Sequence, residues 1–503
     1  MCLPKIKAQG GQSITAKMYS QVMPVFKNYD NNPAIQLSIY NPLTTASEQY
    51  LQTIQCLLDK NGFESIEFIE VYETGAEPFH KQNMLTKVKP GAKSFAIEIK
   101  KSLKTGVSNY WLNVILKPSA SIDQTLTLTC TSVVVNKKVL IPVLALGKGY
   151  TKRIGIAVRK EGDDAVNTYR IPGIVQTDKG SLLAVYDIRY KNSADLPGNI
   201  DVGLSRSVDS GKTWEPMRVI MDMGEPHENN GVGDPAILFD PVTKTIWVAA
   251  LWSKGNRSIA GSKPGLSPDT TGQLVIVSSQ DDGLTWTKPV SITPVVKNPG
   301  WHLFFNGPGT GIAMKDGTLV FAAQYWDENR KPYSTIIYSK DHGANWTGHI
   351  KGPKENTTES QVVEIAPGEL MLNMRDNRGA FRSVATTINL GQSWTEHPSS
   401  YNTLIDPVCM ASIITQNIMY KNNKKEVLFF SNPNTISGRY NMSIRASLDK
   451  GNTWPDRYRL LIDERIGFGY SSLTRIDNQT IGILYEGVKS LLFVPVPIKE
   501  ILP

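Results

Sequence analysis

The sequence predicts an all-β protein, a six-bladed β-propeller over residues 151–503 preceded by an N-terminal β-sandwich over residues 1–150. Three observations carry that prediction. One short pattern returns five times in the back two-thirds of the chain, at intervals of roughly 50 to 70 residues, the signature of a stacked supersecondary unit. Runs with strand composition lead into each copy. The first 150 or so residues lack the pattern yet are rich in short strands, and at 503 residues the chain is too long for one ordinary core.

The copies read SVDSGKTW from Ser207, SQDDGLTW from Ser279, SKDHGANW from Ser339, TINLGQSW from Thr387 and SLDKGNTW from Ser447. In such a turn an Asp bonds backbone amides two residues on, the Gly takes a positive φ, and the Trp packs beneath. The strands around them are LLAVYDI, IWVAALWS and QLVIVSS, TLVFAAQYW and STIIYSK, ELMLNM and FRSVATT. Each repeat buries its sheet faces only against its neighbours, which favours radial packing. Five blades carry the turn; the sixth is expected from TIGILYEG and LLFVPVPI, completed by RIGIAVR from Arg153. The turns hold sheets and do no chemistry. In the fourth copy Asn389 replaces the Asp, as a structural turn tolerates.

The N-terminal segment reads as SIEFIEVYET, SFAIEIKK, YWLNVILK, TLTLTCTSVVV and VLIPVLAL, separated by Gly, Pro, Asn and Ser clusters. A sandwich is the arrangement these short strands favour. The four cysteines, Cys2, Cys56, Cys130 and Cys409, are too widely spaced for a zinc site and too few for a disulfide scaffold, so no metal is expected. No apolar run reaches a membrane span, and MCLPKIKAQG has no apolar core of a signal peptide. Cys2 also fits the residue left by lipoprotein cleavage, with a lone Cys as its only support.

The net charge of +8 suits an acidic ligand. Its lysine pairs, such as Lys100–Lys101 and Lys137–Lys138, are scattered, and no nucleic-acid motif accompanies them, so nucleic acid is set aside; an acidic sugar is another candidate, which the charge alone does not name.

Just before the first repeat stands YRIPGIV, with Arg170 ahead of Ile171 and Pro172. Joined to the downstream turns, it resembles the sialidases (neuraminidases), in which an Arg-Ile-Pro strand precedes a series of Asp-box turns. The resemblance covers roughly Arg153 to Pro503, and the N-terminal segment is similar to the sandwich found ahead of some bacterial sialidase propellers. It implies a further set of residues. Three arginines would grip the substrate carboxylate: Arg170, Arg375 in LMLNMRDN and Arg439 in SNPNTISGRYNM. A planar guanidinium binds a carboxylate with two hydrogen bonds and stays charged at any working pH, which lysine does not reproduce.

The nucleophile implied is Tyr470 in GFGYSSL. A carboxylate attacking a carbon that already bears one meets like charge, whereas a neutral phenol does not. A phenol with an ordinary pKa of about 10 needs a base beside it. Glu359 in ESQVVEIAPGELML, sixteen residues ahead of Arg375, fits that role, with Glu364 its main rival and Glu369 a solvated turn residue. In the loop KNSADLPGN the family pattern implies Asp195 as acid/base, after Arg189 as a substrate contact; Asp201, opening DVGLSRS, is the competitor. Glu486 in ILYEG would hold Arg170, Asp234 in VGDPAIL would meet sugar hydroxyls, and Gln324 would lie near the pocket. Ala322 and Ala323 stand where many relatives have Pro then Ala, and the long loop WSKGNRSIAGSKPGLSPDTTG is a candidate to overhang the site.

The resemblance implies a retaining exo-α-sialidase that needs no cofactor and releases terminal α-linked sialic acids from glycoproteins, glycolipids or oligosaccharides. Transfer to a sugar acceptor or to the substrate's own hydroxyl uses the same intermediate and stays open. A non-catalytic sialoglycan-binding propeller would have no reason to keep the arginines, tyrosine and acids together. The family and its substrates imply a periplasmic, cell-surface or secreted protein, and the N-terminal domain would either bind carbohydrate or pack on the propeller.

Overall fold

The computed structural model describes residues 13–42, 48–75, 77–144, 150–255 and 257–503. Cys2, the MCLPKIKAQG start and the end of the VLIPVLAL run lie outside the described residues. The chain divides into two compact units, Met1–Ile156 and Ala157–Pro503. No helix among the described residues is long and apolar enough to cross a membrane.

The first unit is a β-sandwich. One sheet runs in spatial order Val143–Leu144, Thr15–Tyr19, Pro33–Asn41, Gly106–Leu116, Ile66–Glu73 and Met84–Val88. In the other, Thr125–Val135 lies between Gln49–Leu58 and the start of Thr151–Arg159, with Ser94–Leu103 outside Gln49–Leu58. Alternation builds the core: Leu51, Ile54, Cys56 and Leu58 from one strand are buried, as are Leu126, Leu128, Cys130 and Val133 from its neighbour. Cys56 and Cys130 face each other in register as free thiols, and burial pushes both up, Cys130 to about 12. Tyr72, Tyr110 and Trp111 are buried too, so none of these three offers an open face for stacking on a sugar.

The second unit is a six-bladed β-propeller. Blade 1 is Thr168–Gln176, Leu182–Arg189, Ile200–Ser207 and Arg218–Met221; blade 2 is Val232–Phe239, Ile246–Trp252, Gln273–Ser279 and Val290–Ser291. Blade 3 has Leu303–Asn306 and Ile312–Ala313 on one side of Leu319–Trp326 and Pro332–Ser339 on the other. Blade 4 is Thr357–Ala366, Glu369–Asp376, Ser383–Thr387 and Thr395–Glu396, and blade 5 is Ser412–Tyr420, Asn423–Pro433, Met442–Ser447 and Arg459–Asp463. Blade 6 is Ser471–Arg475, Thr480–Glu486 and Leu491–Pro497, followed in the sheet order by Thr151–Arg159, whose residues 157–159 belong to this unit. Of the expected RIGIAVR, only Ala157, Val158 and Arg159 thus fall in this unit.

The five turns share one geometry, and it differs in detail from the expected one. The aspartate bonds the amide four residues on, not two: Asp209 to Thr213, Asp281 to Thr285, Asp341 to Asn345 and Asp449 to Thr453, at 2.8 to 2.9 Å. Asn389 does the same for Ser393 at 3.0 Å. The longer span arises because the residue before the glycine is left-handed as well, as Ser210 (φ 62°) and Gly211 (φ 86°) illustrate. The opening Ser or Thr hydroxyl accepts the glycine amide, at 2.8 to 3.0 Å in all five.

The glycines also seat each blade on the one before. A Cβ built on Gly283 of blade 2 would lie 2.2 Å from Leu183 of blade 1; on Gly343, 2.2 Å from Trp247; on Gly451, 2.9 Å from Met371. Gly391 meets Ile350, which follows blade 3, and Gly211 of blade 1 meets Phe493 of blade 6 at 2.3 Å. The last contact closes the ring.

Candidate active site

All five Asp-box turns follow the third strand of a blade, so they share one end of the propeller with the first-to-second strand hairpins. The predicted site residues occupy the other end. Arg170, Asp234 and Glu359 lie at the start of first strands, Tyr470 just precedes one, and Arg189, Arg375 and Glu486 lie at the ends of second strands.

The start of the first strand is bent at Arg-Ile-Pro. Ile171 is left-handed (φ 59°), a rare state for a β-branched residue, and the register slips between Arg170 and Gly173. Glu486 holds this kink. Its Oε1 accepts the Ile171 amide at 2.9 Å and Arg170 Nε at 3.0 Å, and its Oε2 accepts the Tyr470 amide at 2.9 Å. One carboxylate of blade 6 thus fixes the first arginine and the backbone of the tyrosine. The same device recurs in blade 2, where Asp234 (φ 57°) precedes Pro235 in a second register slip.

Tyr470 is 6% exposed, and its phenol is the hub. Its hydroxyl donates to Glu359 Oε1 at 2.5 Å and accepts from Arg375 Nη1 at 3.1 Å. Arg375 Nη1 also donates to Glu359 Oε2 at 2.6 Å. The guanidinium of Arg170 lies 5.1 Å and that of Arg439 5.6 Å from the centre of the Tyr470 ring. Three arginines from three blades therefore surround one phenol. Arg439 is fixed by the carbonyls of Phe468 at 2.9 Å and Val408 at 3.2 Å, and Phe468 lies under Arg170.

Burial and the neighbouring Glu359 push the Tyr470 phenol well above its ordinary range, with Arg375 and Arg170 opposing. Glu364, the rival base, is engaged elsewhere. It accepts the amides of Lys315 and Gly368, both at 2.9 Å, at the Asp-box end of its strand.

Asp195 stands at the rim with a side chain 69% exposed, bound by Arg189 Nη1 at 2.7 Å and Arg170 Nη1 at 3.4 Å. Burial of its surroundings pushes its carboxyl up, but Arg189, then Arg170 and Arg439, pull it below the usual range. Asp201 lies off this cluster. It accepts the Tyr190 hydroxyl at 3.0 Å, and burial followed by the charge of Asp222 raises it to about 6.

A residue the sequence reading missed ties this side together. Asp187, 1% exposed, accepts Arg189 Nη2 at 2.8 Å and Nε at 3.1 Å through Oδ2, and the Asp234 amide at 2.8 Å through Oδ1. The signal was available: Asp-x-Arg on one strand puts both side chains on the same face. Burial, Asp187 and Glu359 push the Asp234 carboxyl well up. Asn306 of blade 3 donates to the Asp234 carbonyl at 2.7 Å. Gln324, on the strand paired with Asn306, is buried and its Nε2 has no hydrogen-bond partner among the described residues; the network does not reach it. The 252–272 loop is tied mainly to itself and to the entry of blade 3, with Arg257 donating to the Pro268 and Asp269 carbonyls and Lys297 to Gly265.

Comparison with known proteins accords with this arrangement. Residues 171–461 match the BNR repeat-like domain, and residues 12–139 match the N-terminal domain of BNR-repeat neuraminidase. A sialidase of Bacteroides fragilis is 48% identical over 408 residues, covering 79% of this chain and 74% of the relative. A sialidase of Micromonospora viridifaciens is 32% identical over 65% of this chain and 50% of its own. Among solved structures, the Hadza microbial sialidase Hz136 superposes with a TM-score of 0.88 at 40% identity, over 96% of this chain and 99% of that one. With a BNR-repeat match over more than half its length and a sialidase relative nearly half identical across most of it, the chain belongs to the sialidase family of glycoside hydrolases.

Proposed function

We propose that this chain is a retaining exo-α-sialidase that hydrolyses terminal α-linked sialic acids from glycoproteins, glycolipids or oligosaccharides through a covalent tyrosyl intermediate. The observation that carries the reading is the Tyr470 hydroxyl held 2.5 Å from Glu359 inside a ring of three arginines. The sugar's carboxylate would lie across Arg170, Arg375 and Arg439, fixing the anomeric carbon above the phenol.

Tyr470 Oη then attacks that carbon as its proton passes to Glu359. The raised phenol explains the need for a base: unaided, almost none of it is ionised near neutrality. The bond to the leaving oxygen breaks as Asp195 gives that oxygen a proton. Asp195 next takes a proton from water, whose oxygen displaces Tyr470 from the anomeric carbon, and Glu359 returns the phenol's proton. The three arginines that hold Asp195 below the usual carboxylate range favour its anion. A substrate carboxylate on Arg170 and Arg439 would offset two of them and let Asp195 carry its proton when one is needed. Asp234 would meet ring hydroxyls and Gln324 the pocket wall.

Asp195 at an exposed rim leaves water free access, which favours hydrolysis over transfer. Such substrates lie on cell surfaces and secreted glycans, so the protein would work in the periplasm, at the cell surface or outside. The test is incubation with a 2,3-difluorinated sialic acid, followed by peptide mass spectrometry. The adduct is expected on Tyr470, and an adduct on another residue, or inversion at the anomeric centre seen by NMR, overturns the reading.

A further inference from the structure

We propose that Asp187 is a positioning residue for the acid step, setting the place and charge of Asp195 through the guanidinium of Arg189. The inference rests on the reading of Asp195 as the acid. Arg189 is 1% exposed and spans the two carboxylates: Nε and Nη2 face Asp187, while Nη1 donates to Asp195 Oδ1 at 2.7 Å and to the Ser193 carbonyl at 2.8 Å. The loop that carries Asp195 is exposed from Lys191 to Asp195. Its first buried residue is Leu196, packed with Ile200, Leu251, Leu303 and Phe305. Among the described residues, Asp195 is thus placed by that one apolar anchor and by the arginines behind it, Arg189 closely and Arg170 at 3.4 Å.

The charge argument runs alongside. A buried guanidinium with two anionic partners shares its hydrogen bonds between them. Removing Asp187 leaves the cation to close on Asp195 alone, which shifts that carboxylate toward the interior and holds its anion more firmly. Both effects hinder delivery of a proton to the leaving oxygen, while Asp187 itself makes no hydrogen bond to Arg170, Arg375, Arg439 or Tyr470 among the described residues. Asp187 also accepts the Asp234 amide, so blade 2 is locked to the same carboxylate.

The leaving group provides a readout that a merely structural role would not move. A sugar alkoxide needs the proton; p-nitrophenolate leaves without it. Asp187→Asn is expected to lower kcat/KM on 3′-sialyllactose by about 10- to 100-fold while hardly changing it on p-nitrophenyl sialoside. Gly233→Ala gives a second route that keeps every charge. Its methyl would sit 3.0 and 3.1 Å from the Asp187 oxygens, and its backbone is outside the left-handed region, so the carboxylate must yield slightly. A smaller loss with the same selectivity is expected, and this variant decides the matter if Asp187→Asn does not fold. Equal losses on both substrates, or none on either, overturn the proposal. Asp195→Asn serves as the reference: if it shows the selectivity and the Asp187 and Gly233 variants do not, the present inference alone fails, whereas if Asp195→Asn lacks it, the acid assignment fails first.

Discussion

The two ends of the propeller solve the same problem in opposite ways. At the Asp-box end each turn is bonded mostly within itself: the hydroxyl, the Asp or Asn side chain and the amides of one turn bond one another within eight residues, five times over. At the other end, Asp187 and Asp195 on Arg189 apart, the bonds that build the site reach across the chain. Glu486 holds Arg170 316 positions away, Tyr470 holds Glu359 across 111, and Asp187 holds Asp234 across 47. Repetition with local bonding gives a frame that tolerates Asn389 in place of an aspartate. Long-range bonding of unlike residues gives a site in which each position is unique.

If that contrast is right, substitutions at the two ends should separate activity from stability. The largest effect is expected at the hub: Glu359→Gln should lower sialic acid release from 3′-sialyllactose by about 10² to 10⁴-fold, and Tyr470→Phe should abolish the trapped adduct, with the unfolding midpoint of each near that of the parent. Glu486→Gln should break both properties, because Arg170 and two backbone amides lose their anion. A cost of about 3 kcal/mol or more is expected in denaturant unfolding, together with a sharp rise in KM.

At the Asp-box end the pattern inverts. Asp449→Ala deletes acceptors for the Thr453 amide and hydroxyl and should cost about 1–3 kcal/mol in urea unfolding, with kcat and KM unchanged. A pH effect of defined sign belongs to Asp281, which its Thr285 partners lower to about 2. A folded value below the unfolded one means the stabilisation is present above the unfolded pKa and is lost as pH falls through about 2. Because the side chain is only partly buried, solvent screens it and the loss should be small. Comparing the parent with Asp281→Asn in acid titrations by circular dichroism checks it. Smallest of all, Asn389→Asp should change stability by less than about 0.5 kcal/mol.

The same contrast explains what could be read from the chain. The turns were legible because their chemistry is written in consecutive residues; only the reach of the aspartate was misjudged, since two adjoining left-handed residues lengthen the loop. The arginines, Glu359, Tyr470 and Glu486 were legible through the family pattern, because no local spacing joins residues 170 and 486. Asp187 escaped because its role depends on a partner in the next blade and on a same-face arginine two positions on. The kink at Ile171 escaped for a related reason: Arg-Ile-Pro reads as an extended strand, and the carboxylate that accepts the amide at the bend, Glu486, comes from a distant part of the chain.

The glycine seats between blades have an implication for assembly order. Six sheets of like shape could in principle stack in any sequence around an axis, and a ring misassembled in that way would still bury its faces. Yet the side chain received differs at every seat: Phe493, Leu183, Trp247, Ile350 and Met371. A bulky indole from blade 2 fits against Gly343 in a way that a leucine would not, so each seat works as a key that admits its own neighbour. The chain thereby carries an address for each blade in the repeats that look most alike.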